Sequence, residues 1–156
     1  MALVITGDEE IDLHQPEGAL NQYYRAFNSH DIKLMERNWE SGTEACMYHP
    51  LGGIRRGWEE IREIYEQIFS GPAGMMVEYQ DFTLQRFNNT FLTVGLERGL
   101  LRTQAATLEF RIRTSRLYSW RAGEWRQIHY HGSIEEPELL ARYLTLVLTG
   151  MVPDGI

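Results

Sequence analysis

Apolar residues recur at helical spacing through the first part of the chain and alternate with polar ones through much of the rest. Ala19, Leu20, Tyr23, Tyr24 and Phe27 fall on one face of a helix opened by Pro16-Glu17. Proline is tolerated in a first turn, and an acid there suits the helix macrodipole. Asn28-Ser29-His30-Asp31 breaks this helix, and Asp31 is placed to cap a second one running through Leu34, Met35 and Trp39. Ser41-Gly42 ends that helix, and Thr43 to Tyr48 reads as a short strand. Trp58, Ile61, Ile64, Tyr65, Ile68 and Phe69 form a third amphipathic helix, stopped by Gly71-Pro72.

Beyond Pro72 the period changes. Met76 to Phe87, Thr90 to Leu101, Ala105 to Trp120 and Glu124 to Ile134 are strand-like, with Asn88-Asn89 and Ala122-Gly123 as tight turns. Pro137 starts a fourth helix with Leu139, Leu140, Tyr143, Leu144 and Val147 on one side and Gly150 as its stop. Three helices followed by a run of antiparallel strands predict an α+β fold, with the helices on one face of a curved sheet. Residues 1–15 carry no period and are expected to be a flexible arm. Residues 16–134 form the domain, and residues 135–150 a helical extension.

At 156 residues the chain has the size of one domain. Its net charge of −7 repels phosphate backbones and anionic lipid, so neither nucleic acid nor a membrane is an expected partner. The single cysteine, Cys46, permits no intrachain disulfide and reads as a small buried residue. No basic region precedes Ala2-Leu3-Val4-Ile5, and no apolar stretch approaches the roughly 20 residues that span a bilayer. The expectation is a soluble, cytoplasmic protein.

Candidate chemistry concentrates at His49. A strand stops at His49-Pro50, passes Gly52-Gly53, and leads into the third helix. An imidazole with an ordinary pKa near 6.5 suits proton shuttling at neutral pH. The same position would equally suit a turn histidine bonded to backbone. Further on, Trp125, Gln127, His129, His131 and Ser133 alternate along one strand and are expected to share a face. A His-x-His pair can chelate a metal, but no Asp or Glu is expected on that face, so no metal or other cofactor is predicted. Arg98, Arg102, Arg111, Arg113 and Arg116 crowd two strands, with Arg116 on the opposite parity to Arg111 and Arg113. Glu97 and Glu109 are expected as outer-face partners for those arginines that do not enter a pocket.

Three stretches carry a resemblance: Ala26-Phe27-Asn28-Ser29-His30-Asp31, the His49–Tyr65 segment, and Trp125-Arg126-Gln127-Ile128-His129-Tyr130-His131-Gly132-Ser133. Together with the order of elements they resemble the nuclear transport factor 2-like superfamily. That group includes ketosteroid isomerases, SnoaL-like polyketide cyclases and the association domain of calcium/calmodulin-dependent protein kinase II. The resemblance implies a cone-shaped sheet around the three N-terminal helices and a small-molecule pocket between them. Ketosteroid isomerases use a carboxylate base with a tyrosine and a protonated aspartic acid as oxyanion hole. By this resemblance His49 stands at the base position, Tyr23 at the oxyanion tyrosine, Tyr65 beside it, and Trp39 at a second-helix aromatic. Trp58, Arg98, Arg116, His129 and His131 are the remaining pocket candidates. The isomerase acid has no counterpart in Arg111-Ile112-Arg113-Thr114-Ser115-Arg116.

Two functions follow as expectations. In the first, a small, partly apolar carbonyl compound occupies the cone, His49 abstracts a proton, and Tyr23, supported by Tyr65, binds the enolate oxygen without a cofactor. The outcome would be isomerisation or aldol-type cyclisation. The alternative is a non-catalytic assembly module. A homodimer through the outer sheet face is expected by resemblance. In the alternative Tyr130, Ile128, Arg126 and the fourth helix would help cover the partner.

Overall fold

Four helices and six strands follow one another in the computed structural model, which describes residues 3–152. They are α1 (Pro16–Asn28), α2 (Ile32–Asn38), β1 (Cys46–Tyr48), β2 (Ile54–Arg56), α3 (Gly57–Ser70), β3 (Gly74–Phe87), β4 (Thr90–Arg102), β5 (Thr107–Arg121), β6 (Glu124–Ser133) and α4 (Pro137–Thr149). The sheet order is β2-β1-β6-β5-β4-β3, with β3 to β6 antiparallel and β1 parallel to β6. Pro16 occupies the first turn of α1, and the Asp31 side chain accepts from the Leu34 amide to start α2. The short strand β2, which the sequence pattern did not suggest, pairs Arg56 with Cys46 and Ile54 with Tyr48. No helix among the described residues is long and apolar enough to cross a membrane.

Inward-facing residues of the sheet alternate as period-2 strands demand: Phe91, Thr93, Glu97 and Leu101 on β4, and Leu108, Phe110, Ile112, Thr114, Arg116 and Tyr118 on β5 are all buried. On β6 the alternation is broken. Tyr118 pairs with Gln127 and Leu117 with His129, leaving Ile128 as the extra residue of a bulge. Trp125 and Gln127 therefore point inward before it, and Tyr130 points inward after it. The five residues Trp125, Gln127, His129, His131 and Ser133 do not share one face, contrary to the alternation expected from sequence. Tyr130 is a core residue at 1% exposure rather than part of an outer surface.

The N-terminal end departs from expectation, while the fourth helix starts at Pro137 and stops at Gly150 as expected. The N-terminal segment is docked rather than loose: Ile5 exchanges two backbone hydrogen bonds with Tyr79 at 2.9 and 2.8 Å. Asn21, Arg25 and Asn28 on α1 donate side-chain hydrogen bonds to carbonyls of residues 6–9. These bonds hold the segment along α1. Of this arm, residues 1 and 2 lie outside the described residues. The fourth helix buries Tyr143, Leu146 and Val147 against its own domain, with Tyr143 set edge-on to Phe110 at 5.1 Å. Most of its apolar side is thus consumed inside the protomer, although Leu148 remains exposed.

Docking of the arm gives one glycine a steric role. A Cβ on Gly18 would overlap the Asp12 backbone carbonyl. Alanine normally favours a helix over glycine by about 1 kcal/mol. Here Gly18→Ala should instead destabilise the protein by about 1–3 kcal/mol. Its midpoint in thermal denaturation should fall by several degrees, where an ordinary helix site would gain.

Candidate functional site

The centre of the cone is built around a buried charge. Arg116, on the inner face of β5, has no exposed surface, and its Nη2 donates to Glu97 Oε1 of β4 at 2.5 Å. Its guanidinium lies over the ring of Tyr23 at 3.9 Å and near those of Tyr130 at 4.8 Å and Tyr24 at 5.0 Å. A cation over aromatic faces in a desolvated setting gains about 2 kcal/mol or more. Burial pushes the Glu97 carboxyl up and Arg116 pulls it back down, leaving it above its ordinary value. Sequence reasoning put Glu97 on the outer face. The strand parity shared with Phe91, Thr93 and Leu101 was the signal that could have found it.

Tyr23 on α1 and Tyr65 on α3 meet hydroxyl to hydroxyl at 3.0 Å, both buried. Burial pushes Tyr23 up to about 12 despite the nearby Arg116, and Tyr65 is also raised by burial. Both phenols stay protonated at neutral pH, so one proton is spent between them and the other remains available to donate. Trp39 caps the end of α2, fully buried, with its ring 6.4 Å from that of Tyr65. Asn38 beside it bonds to Ala19, Gln22, Tyr118 and Gln127, tying α1 and α2 to β5 and β6.

His49 is 7% exposed, and the Leu51 amide donates to its Nδ1 at 3.1 Å. Burial, with Arg55 nearby, lowers its pKa to about 3, so the ring is neutral. With Nδ1 as acceptor, the proton sits on Nε2, and the free edge of this histidine is a donor. The Tyr130 ring approaches both His49, at 6.1 Å between centroids, and Tyr23, at 6.5 Å.

The other sequence candidates are dispersed. Arg98 lies on the outer face and pairs with Glu109 at 3.4 Å. His129 contacts Cys46 Sγ through Nδ1 at 3.1 Å, and Tyr48 sets its edge against both His129 and His131. These histidines stand on the outer side of β6, where His131 borders a groove of about 540 Å³ with Val94, Leu96, Arg113 and Ser115. Trp58 is buried in the first turn of α3. No group of three or more metal-ligating side chains occurs among the described residues. The cone itself is closed by its own rings, and several polar atoms inside it find no partner among the described residues. They are Nε and Nη1 of Arg116, Nε1 of Trp39, Oη of Tyr24 and Oε1 of Gln127.

A curved sheet wrapped around α1 to α3, with polar groups converging inside, defines a nuclear transport factor 2-like cone. The chain belongs to the SnoaL-like domain family, whose model matches residues 17–136. Among solved structures it is similar to a protein of the nuclear transport factor 2-like family from Streptomyces avermitilis, at 16% identity and TM-score 0.73, covering 80% of this chain and 96% of that one. A ketosteroid isomerase-like protein from Erwinia carotovora atroseptica matches at 21% identity and TM-score 0.66, covering 83% and 99%. The calcium/calmodulin-dependent protein kinase II hub of S. rosetta matches at 16% identity and TM-score 0.65, covering 74% and 91%. No match to a curated protein was found.

Burial of His49 makes a pH dependence. Its folded pKa lies below the unfolded 6.5, so as pH falls the unfolded chain takes the proton first. The stability contributed by this group is complete above 6.5 and is lost progressively toward about 3. Glu97 acts with the opposite sign but is common to the wild type and a His49→Asn variant. On moving from about pH 7 to about pH 5, the wild type should lose about 2 kcal/mol more than His49→Asn in urea denaturation. Equal losses would mean that His49 is not buried as a neutral ring.

Proposed function

We propose that the cone, closed by its own rings in this structure, opens to bind a small, partly apolar molecule through an oxygen acceptor such as a carbonyl. The single observation behind this reading is the excess of buried donors: Arg116 Nε and Nη1 and Trp39 Nε1 have no acceptor among the described residues. Each such group left unpaired costs about 1–3 kcal/mol. Donors buried on β5 and at the end of α2 call for oxygen acceptors, and the surrounding rings suit an apolar body. Tyr23, in contact with Arg116 and bonded to Tyr65, would add a further donor. The likeness to a ketosteroid isomerase-like protein supports the same reading.

Catalysis by proton transfer is a narrower proposal. With Nδ1 engaged by Leu51, His49 offers a proton from Nε2 and would hydrogen-bond a ligand oxygen. Acting as the base in an isomerisation or cyclisation would require release of Nδ1 from the turn. A panel of aromatic and alicyclic ketones screened by thermal shift tests the binding reading. The best ketone should bind Tyr23→Phe about 5- to 30-fold more weakly than wild type, the worth of one or two buried hydrogen bonds. No shift with any ketone, or equal binding by the variant, overturns it.

A second reading concerns assembly and rests on the outer sheet face. Val94 is 48% exposed in the middle of β4. Leu92 and Leu96 flank it on the same face, and Leu117 stands on β5 opposite Leu92. We propose that this surface pairs two copies of the chain, a reading also supported by the hub-like neighbour. Sedimentation equilibrium should show a dimer for the wild type and a monomer for Val94→Arg. A monomeric wild type would overturn this reading.

A further inference from the structure

The cone's central cation is already neutralised by the protein, and that decides which oxygen it can accept. Arg116 and Glu97 form one ion pair from adjacent strands, with side-chain exposures of 0% and 7%. The phenols of Tyr24 from α1 and Tyr130 from β6 adjoin Glu97, and those of Tyr23 from α1, Tyr79 from β3 and Tyr143 from α4 lie within its field. Burial raises all of them, so they carry no charge at neutral pH. Among the described residues, Arg116 and Glu97 are then the charges of the cone, and they sum to zero.

We infer that Glu97 is a specificity determinant: the cone accepts a neutral oxygen, as in a ketone or amide, and rejects a carboxylate. This rests on the cone being a ligand site. A ketone or amide oxygen can take the free Nε–H and Nη1–H of Arg116 without changing the charge of a water-excluded space. A carboxylate of the same shape brings a second anion beside Glu97, and like charges in a buried site disfavour one another strongly. In a water-excluded space it can enter only together with a proton, taken up by Glu97 or by the ligand itself. Anion binding is therefore coupled to protonation, and neutral binding is not.

Benzamide and benzoate are a matched pair of probes for titration calorimetry with the intact protein. Wild type should bind benzamide at least about tenfold more tightly than benzoate near neutral pH. In Glu97→Gln the amide keeps an oxygen for Arg116 Nη2 but removes the negative charge, so the preference should reverse. Should that variant fail to fold, wild type alone suffices. Its benzoate affinity should rise by up to about tenfold per unit from about pH 8 to about pH 6, while that for benzamide stays level. Equal binding of the two probes, a pH-independent benzoate affinity, or an unchanged preference in a folded Glu97→Gln overturns the role of Glu97 while leaving the cone site standing. Failure of both probes and of the ketone panel overturns the site itself, and this inference with it.

Discussion

Arg116 is the residue around which the interior is arranged. A guanidinium taken wholly out of water is tolerated only with a counter-charge and further favourable contacts, since desolvation costs several kcal/mol per ion. Glu97 supplies the first from the adjacent strand, and the rings of Tyr23, Tyr24 and Tyr130 supply the second. Those rings come from α1 and β6, so one side chain on β5 ties the first helix to the sheet. The close fit leaves its mark on the backbone. A Cβ at Gly132 would run into the Tyr130 side chain, so glycine at this inward position lets the ring lie across the sheet.

Geometry also accounts for the neutral, donor-rich character of the interior. Asn38 satisfies the polar atoms of α1, α2, β5 and β6 among themselves, with Tyr118 and Gln127 Nε2 both donating to its Oδ1 at 2.9 and 3.0 Å. That network serves structure, and Oε1 of Gln127 is its atom without a partner among the described residues. The Arg116 and Trp39 donors are open. Groups that bond among themselves act as scaffolding, while donors left open are able to recognise a ligand.

Much of the fold was legible because amphipathic period and turn chemistry agreed: Pro16 opened α1, Asp31 capped α2, and Gly71-Pro72 closed α3. The strand hairpins were legible for the same reason. What escaped were effects that alternation alone does not encode. The bulge at Ile128 rotates the rest of β6 by one face, carrying His129 and His131 outward and Tyr130 inward. Glu97 was misplaced because a carboxylate is assumed to face solvent, although its even spacing from Phe91, Thr93 and Leu101 assigns it to the core. Arg98 shows the reverse: its neighbour's parity put it outside with Glu109. The arm was misread because it docks through backbone bonds to Tyr79, α1 side chains on its carbonyls and the buried side chain of Ile5, none of which leaves a period.

The missing acid of the isomerase pattern acquires a physical answer here. Glu97 is paired in register with Ile112, within the stretch Arg111–Arg116 in which that acid was sought. The cone therefore does contain a carboxyl group, one strand over from the expected place. A protonated acid in an apolar site donates a hydrogen bond to developing negative charge. Glu97 instead accepts from Arg116, and the donor presented to the interior is the guanidinium. Moving the acid by one strand and adding the arginine thus exchanges a neutral donor for a balanced ion pair. Such a pair can still polarise a carbonyl through the free N–H groups of Arg116. It does so against the opposing field of its own carboxylate, and with His49 held as a donor the arrangement favours holding a carbonyl over removing a proton beside it.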